Sequence, residues 1–263
     1  MNKDLYRKIL YGGIIGDAMG VPYEFRFQNT FKAKPKMMGY GTYNQPPGTW
    51  SDDTSLTLLL MQCLSEKQQT EYFIKLLNNY YYDGYMTPDN ECFDIGNATI
   101  RAMNGNPDFS SLGNGALMRA LPLVYYTWDM SSNQREKEIT KWSQVTHPNK
   151  ESSNCCITYV NIIRELIISQ NKEDLTKYIE INKFIPGSNG KVTDTLKTAI
   201  WGVLSFNSYD DIILNVINLG GDTDTNAMVA GTMAAAIYQI NENWKEQLRE
   251  KEKIESVINK FLN

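Results

Sequence analysis

One segment near the C-terminal end constrains this chain most. Gly220-Gly221-Asp222-Thr223-Asp224-Thr225 is followed by an apolar, alanine-rich run over residues 227–240. The run has the length and composition of a buried helix, and the paired glycines allow a tight turn directly before it. The two aspartates are then expected at the helix N-terminus, where the helix dipole favours negative charge. A helix cap needs only one such side chain. Successive carboxyl and hydroxyl groups therefore indicate a cation site that takes further ligands from elsewhere.

A second acidic motif, Ser51-Asp52-Asp53-Thr54, precedes another apolar helical segment over residues 56–64. Neighbouring side chains on a helix diverge by about 100°, so Asp52 and Asp53 would face different ions. Four converging carboxylates repel one another unless protons or cations balance them. A set of oxygen donors favours Mg²⁺ or Mn²⁺ over zinc, and two ions about 3.5–4 Å apart could clamp a substrate and activate one water. The alternative is that each motif only caps its helix.

The rest of the chain predicts an all-α fold, because helical periodicity recurs and strand-like alternation is nearly absent. No linker, repeat or low-complexity tract divides the sequence, so residues 1–263 are expected to form a single compact domain. The predicted helices cover residues 4–19, 56–64, 70–85, 94–103, 115–126 with a kink at Pro122, 133–146, 151–169, 172–182, 192–206, 209–218, 227–240 and 244–261.

Composition excludes several classes of function. The net charge of −4 gives no basic footprint for nucleic acid. No apolar run has membrane-spanning length, and residues 1–8 lack the apolar core of a signal peptide. The four cysteines include no C-x-x-C pair, which favours free thiols and a reducing, cytoplasmic location.

The two acidic motifs occur in a fixed order with other short motifs. These are Gly16-Asp17-Ala18-Met19-Gly20 with Glu24, Gly113-Asn114-Gly115-Ala116-Leu117-Met118-Arg119, and Thr146-His147-Pro148. In this order, over about residues 8–240, the chain resembles the ADP-ribosylglycohydrolase family, which includes the dinitrogenase reductase-activating glycohydrolases. The resemblance implies a monomeric, orthogonal all-α domain with two divalent cations, Mg²⁺ or Mn²⁺. It also implies an enzyme that removes ADP-ribose from modified proteins or from small acceptors.

The resemblance assigns roles to the acidic residues. Glu24 matches an acidic residue beside the metals that handles the water or acts as a mobile gate, although the sequence alone also allows a surface glutamate. The catalytic group would be Glu24, Asp53, Asp94, Asn97 and Asp224. The implied metal ligands are Ser51, Asp52, Asp53, Asp222, Asp224 and Thr225.

Asp94 and Asn97 resemble an Asp-x-x-Asn pair that lies near the ribose in bacterial members. On a helix the two side chains would share a face, and the alternative is an N-cap aspartate with an incidental asparagine.

The implied nucleotide contacts are Gly113, Asn114, Gly115 and His147. Residues 110–116 lead into a helix N-terminus, where free N–H groups would bind the diphosphate or the distal ribose, although many glycine-rich loops are only turns. His147 matches a residue that contacts the phosphates or ribose; its alternative is a structural role, and we assign it no acid–base function.

One position departs from the family pattern. Many relatives carry an aromatic residue before the segment Val192-Thr193-Asp194-Thr195, where this chain has Lys191. The adenosine pocket is therefore expected to use a Tyr or Phe from another loop.

The predicted function is a metal-dependent hydrolase of the ADP-ribosyl C1″ bond, with arginine the favoured acceptor. The alternatives are a catalytically weak ADP-ribose-binding protein and a two-metal nucleotide phosphohydrolase.

Overall fold

The alanine-rich helix that follows the acidic turn is buried along nearly its whole length. Its small side chains allow the first helix of the chain to pack against it backbone to backbone. A Cβ on Gly16 would lie 2.5 Å from the carbonyl carbon of Ala227, and one on Gly20 would lie 2.5 Å from the nitrogen of Asp224. Such separations leave room only for glycine, so the end of the first helix lies directly beside the start of the alanine-rich helix.

The computed structural model describes residues 1–263 and contains helices with no sheet, which confirms the predicted all-α class. Three short 3₁₀ helices, Val21–Tyr23, Gly41–Tyr43 and Lys172–Lys177, accompany the α-helices. The α-helices are α1 (Lys3–Gly20), α2 (Asp52–Ser65), α3 (Thr70–Asp83), α4 (Asn97–Met103), α5 (Gly115–Met118), α6 (Pro122–Tyr126), α7 (Ser132–Gln144), α8 (Lys150–Ser169), α9 (Val192–Ser205), α10 (Tyr209–Ile217), α11 (Thr223–Ile237), α12 (Glu242–Glu246) and α13 (Lys251–Leu262).

The core surrounds α11, which packs against α1, α8, α9 and α10. It is one cluster of 67 buried apolar side chains that extends from Tyr6 in α1 to Leu262 in α13. The single-domain prediction stays a prediction, and a continuous core of this kind favours one cooperative unfolding transition.

Two predicted helices differ from the structure near the site. The helix expected over 94–103 begins only at Asn97, so Asp94 lies in the preceding loop. The helix expected over 115–126 is two short helices, α5 and α6. Pro122 is the first residue of α6 instead of a kink within one helix. The first helical position tolerates proline because its N–H has no partner within the helix.

Two further helices were predicted too long. Only Lys172–Lys177 is helical within 172–182, and the chain then turns at Glu180, whose carbonyl accepts the N–H groups of Lys183 and Phe184. The helix expected over 244–261 is divided into α12 and α13. These helices are separated by a break in which Glu250 has a φ of +51°.

All four cysteines are free thiols, as the spacing predicted. No helix of this protein combines the length and the apolarity that crossing a bilayer requires.

Candidate active site

The acidic turn is fixed by its pairing with the segment after α1. Gly220 and Gly221 have φ values of +71° and +66°, in the region that favours glycine. Gly221 donates its N–H to the carbonyl of Arg26 (2.8 Å), and Phe25 donates its N–H to the carbonyl of Gly221 (2.7 Å). This pairing confirms the predicted tight turn and holds Glu24 beside the start of α11.

The second acidic motif is held in place by Asp17, a fully buried carboxylate on α1. Asp17 accepts hydrogen bonds from the Ser51 N–H (3.0 Å), the Ser51 hydroxyl (2.8 Å), the Thr54 N–H (3.0 Å) and the Thr54 hydroxyl. Burial raises the pKa of Asp17 to about 6, against the opposing effect of these hydrogen bonds. Asp17 thus caps α2 from another helix and fixes the orientation of Asp52 and Asp53.

The two acidic motifs meet at one cleft of about 570 Å³. Ser51 is absent from its wall, because its hydroxyl donates to Asp17 and accepts the N–H of Asp53 (3.3 Å). Every other predicted site residue lines the cleft: Glu24, Asp52, Asp53, Asp94, Asn97, Gly113, Asn114, Gly115, His147, Asp222, Asp224 and Thr225.

Three carboxylates form a group of the size that a cation requires. One oxygen from each of Glu24, Asp94 and Asp224 lies within 4.8 Å of the other two. Glu24 is only 6% exposed, so the surface interpretation of this residue is wrong. Because Asp94 precedes α4, it shares no helix face with Asn97, although both line the cleft.

Hydrogen bonds satisfy only part of the acidic cluster. Thr225 donates its hydroxyl to Asp53 Oδ1 (3.2 Å), and Asn114 donates its amide to Asp222 Oδ2 (2.6 Å). Three buried carboxylate oxygens have no donor: Glu24 Oε2, Asp53 Oδ2 and Asp224 Oδ1. A buried carboxylate without a partner is costly, and hard divalent cations prefer oxygen ligands. The donor set therefore fits such ions.

Burial and mutual repulsion raise the pKa values of the acids in the cleft. Burial is the larger cause for Asp52, Asp53 and Asp224, followed by the neighbouring carboxylates. Burial and then Asp94 raise the pKa of Glu24 to about 8. No Lys or Arg side chain lines the cleft, so protons or cations must balance this charge.

The opposite wall contains the glycine loop over residues 113–115 and His147. Asn114 donates its N–H to the carbonyl of Gly190 (3.1 Å), which fixes the loop against the segment before α9. The expected helix after the loop is only α5, a four-residue helix, so its dipole adds little to anion binding. Burial and then Arg119 lower the pKa of His147 to about 3, which keeps the imidazole neutral at pH 7.

Comparison with known proteins gives a family match over nearly the whole chain. Residues 2–263 match the family model described as ADP-ribosylglycohydrolase. The chain belongs to the ADP-ribosylglycohydrolase family.

Its relatives in that family include two proteins named ADP-ribosylarginine hydrolase Tri1. The one from Pseudomonas putida (strain GB-1) is 28% identical over 99% of this chain and 78% of the relative. The one from Serratia proteamaculans (strain 568) is 29% identical over 98% of this chain and 79% of the relative. The ADP-ribosyl-[dinitrogen reductase] glycohydrolase of Rhodospirillum rubrum is 24% identical over 88% of this chain and 84% of the relative.

The fold has a close structural neighbour. A structure titled "ADP-ribosylglycohydrolase-related protein complex" aligns with a TM-score of 0.85 and 25% identity, over 98% of this chain and 97% of the other.

Several residues in and behind this ADP-ribosylglycohydrolase cleft were not predicted from the sequence. Asp17, which lies behind the cleft wall, was given no role, although a carboxylate among the apolar residues 9–20 of α1 was a usable signal. The segment 188–190 lines the cleft, but its turn composition indicated only a loop. The Lys191 side chain is exposed, and the Lys191 backbone forms an isolated antiparallel β-bridge with Gly113. This bridge connects the segment before α9 to the glycine loop.

Proposed function

We propose that this chain is a metal-dependent hydrolase that removes ADP-ribose from arginine side chains of proteins by cleaving the C1″ glycosidic bond. The main observation is a cleft in which two distant acidic motifs meet and in which buried oxygens of Glu24, Asp53 and Asp224 have no donor. Arginine is the favoured acceptor because relatives named ADP-ribosylarginine hydrolase align over nearly the whole chain.

Two divalent cations, Mg²⁺ or Mn²⁺, are part of the proposal. Their ligands would be Asp52, Asp53, Asp222, Asp224 and Thr225, with Glu24 and Asp94 beside them. Ser51 would join them only if its hydroxyl turned from Asp17 toward the cleft. When bound, such cations neutralise the carboxylates and polarise a water molecule and the ribose hydroxyls. The oxygen-only composition of this set supports the choice of ion.

The side chains supply the remaining functions. Breaking the bond from C1″ to the guanidinium nitrogen develops positive charge on the ribose, which the surrounding carboxylates stabilise. A water molecule supplies the hydroxyl to C1″, and its proton ends on the leaving arginine. In this scheme Glu24, whose pKa is raised by burial and by the neighbouring carboxylates, is ionised once those carboxylates are offset by bound cations. It then accepts that proton from the water and passes it to the leaving nitrogen. Asp94 and Asn97 orient the distal ribose.

The nucleotide part of the substrate would occupy the opposite wall. Gly113, Asn114, Gly115 and His147 line that wall. The N–H groups of Gly113 and Asn114 already donate to Ser111 Oγ (3.3 Å) and to the carbonyl of Gly190 (3.1 Å). The N–H of Gly115 and the ring of His147 would therefore contact the phosphate oxygens, whereas the acidic wall suits the ribose.

The proposal is tested with proteins carrying ADP-ribose on arginine or on serine and with O-acetyl-ADP-ribose, each with Mg²⁺, with Mn²⁺ or with a chelator. We expect free ADP-ribose with an intact diphosphate, produced fastest from the arginine substrate. AMP and ribose phosphate would instead support a nucleotide phosphohydrolase. Tight ADP-ribose binding without turnover of any substrate would support a binding protein.

Variants of the acidic cluster test the metal role. Asp53→Ala and Asp224→Ala should abolish turnover and weaken metal binding in calorimetry, because each removes a buried carboxylate. Asp211→Ala, which removes an exposed carboxylate on α10, is the matched control and should retain both properties. Full activity of Asp53→Ala or Asp224→Ala in the presence of a chelator would refute the metal role.

A further inference from the structure

A buried cation without a counter-ion lies behind the glycine loop. Arg119 follows α5, is only 1% exposed and forms no salt bridge with any carboxylate. Its guanidinium donates to the carbonyl of Trp142 (3.2 Å) and lies 4.9 Å from the ring centroid of Phe73. Burying an unpaired charge is costly, so a specific use for this residue is expected.

The remaining hydrogen bond of Arg119 connects it to the cleft. Arg119 Nη2 donates to the hydroxyl oxygen of Thr146 (2.8 Å), a residue with no exposed surface. Besides Arg119, the Thr146 Oγ1 atom has one further hydrogen-bond partner, His147 Nδ1, at 2.8 Å. A guanidinium can only donate, so the Thr146 oxygen accepts from Arg119. The hydroxyl proton has no acceptor other than Nδ1, so donation to Nδ1 is the arrangement that leaves neither group of this buried pair unsatisfied. The proton of the neutral imidazole then resides on Nε2.

The Nε2 atom faces the glycine loop. A Cβ on Gly113 would lie 3.4 Å from Nε2, and a Cβ on Gly115 would lie 3.3 Å from it. Because both residues lack a Cβ, the Nε2–H group remains accessible from the cleft that His147 lines. No protein atom accepts a hydrogen bond from it.

We propose that Arg119 is a positioning residue that acts through Thr146 to fix His147 as the Nε2–H tautomer. The wall of the cleft then presents a hydrogen-bond donor, never an acceptor, to an anionic oxygen of the ligand. The identity of that ligand, the diphosphate of ADP-ribose, rests on the proposed function. The opposite tautomer would direct a lone pair at a phosphate oxygen, in a cleft that already contains several carboxylates.

Neutrality of the ring makes the tautomer important. Burial and the Arg119 charge lower the pKa of His147 to about 3, so protonation does not provide a second N–H at neutral pH. The hydroxyl of Thr146 then decides which nitrogen donates.

The tautomer can be measured directly, because His147 is the only histidine in the chain. In the full-length protein labelled with ¹⁵N-histidine, NMR should show a protonated Nε2 and an unprotonated Nδ1. Thr146→Val should produce a mixture of tautomers and weaken ADP-ribose binding about tenfold by calorimetry. It should also raise the KM for the arginine-linked substrate by a similar factor, with kcat changed less than about twofold. Arg119→Met should act in the same direction.

Two variants serve as controls. Thr146→Ser keeps the hydroxyl and should restore both the tautomer and the affinity. Thr127→Val removes another buried threonine hydroxyl, one that donates to the carbonyl of Leu123 within α6, and should leave both unchanged. If Arg119→Met does not fold by circular dichroism, Thr146→Val and Thr146→Ser decide the result.

Three results would overturn the proposal. One is a wild-type spectrum with a protonated Nδ1, and another is an unchanged tautomer in Thr146→Val. The third is a changed tautomer with unchanged ADP-ribose affinity, which would remove the role in ligand binding. The NMR measurement is independent of turnover. Lack of activity on every ADP-ribosylated substrate would therefore refute the proposed function without deciding the role of Arg119.

Discussion

Replacement of Asp17 by asparagine tests whether this residue organises the acidic motif on α2. The side chain keeps its size but loses its charge and one acceptor oxygen. In the structure, Asp17 Oδ1 accepts from the N–H and hydroxyl of Ser51, and Oδ2 accepts from the N–H and hydroxyl of Thr54. The Ser51 N–H also lies 3.2 Å from Oδ2, so an amide oxygen in that position still accepts from the N–H groups of both Ser51 and Thr54. The NH₂ group then turns toward the Ser51 hydroxyl, which can rotate and accept, so the main loss is that of a charged acceptor.

The size of the effect follows from two opposing contributions. Replacing the charged acceptor of two buried backbone N–H groups by a neutral one costs about 1–3 kcal/mol, and loss of the charge at the helix N-terminus adds roughly 0.3–1 kcal/mol. Burial raises the pKa of Asp17 from 3.8 to about 6 despite these hydrogen bonds, and at about 1.36 kcal/mol per unit removal of the charge returns roughly 3 kcal/mol at pH 7. The contributions nearly cancel, so we expect Asp17→Asn to change the free energy of unfolding by less than about 1 kcal/mol.

Thermal and urea unfolding measure this change, and calorimetry with Mg²⁺ or Mn²⁺ measures its effect on the acidic site. A change below about 1 kcal/mol corresponds to a shift in Tm of less than roughly 4 °C for a chain of this length. Metal affinity should nevertheless fall, because Asp52 and Asp53 depend on the cap. Asp129→Asn alters an exposed aspartate in the turn after α6 and should change stability by less than about 0.5 kcal/mol. Unchanged metal affinity of Asp17→Asn, or a loss of stability well above about 1 kcal/mol, would contradict this account.

Three further predictions concern the glycines and His147. Gly115→Ala places a Cβ 2.9 Å from His147 Cε1, so the ring must move, and we expect about tenfold weaker ADP-ribose binding by calorimetry. Gly20→Ala places a Cβ 2.5 Å from the Asp224 nitrogen and should cost about 1–3 kcal/mol in urea unfolding, whereas Gly187→Ala, with no atom within 4 Å, should be neutral. The pKa of His147 is lowered from 6.5 to about 3, so between pH 3 and 6.5 the unfolded chain binds a proton that the native state does not. Stability should therefore fall as the pH decreases, by about 2 kcal/mol between pH 6.5 and 5 relative to His147→Gln, and the same pH dependence in both proteins would contradict the assignment.

Local features of the sequence predicted much of this protein. Helical periodicity predicted the all-α class, because the spacing of apolar residues along a helix is a property of short segments. The glycine pair at 220–221 predicted a tight turn before α11, and the two acidic motifs predicted a shared site. Helix ends were predicted less well. Asp94 lies outside α4, and Pro122 begins a new helix instead of bending one.

Only the tertiary structure decided what surrounds these motifs. Glu24 is buried because residues 25–26 pair with a turn almost 200 positions away, and no local pattern encodes that pairing. Asp17 caps a helix that begins 35 residues later, and Arg119 acts on His147 only because α5 and the end of α7 are adjacent in the fold. The physical reason is that the sequence specifies which groups can donate or accept. Which donor meets which acceptor depends on how the helices pack.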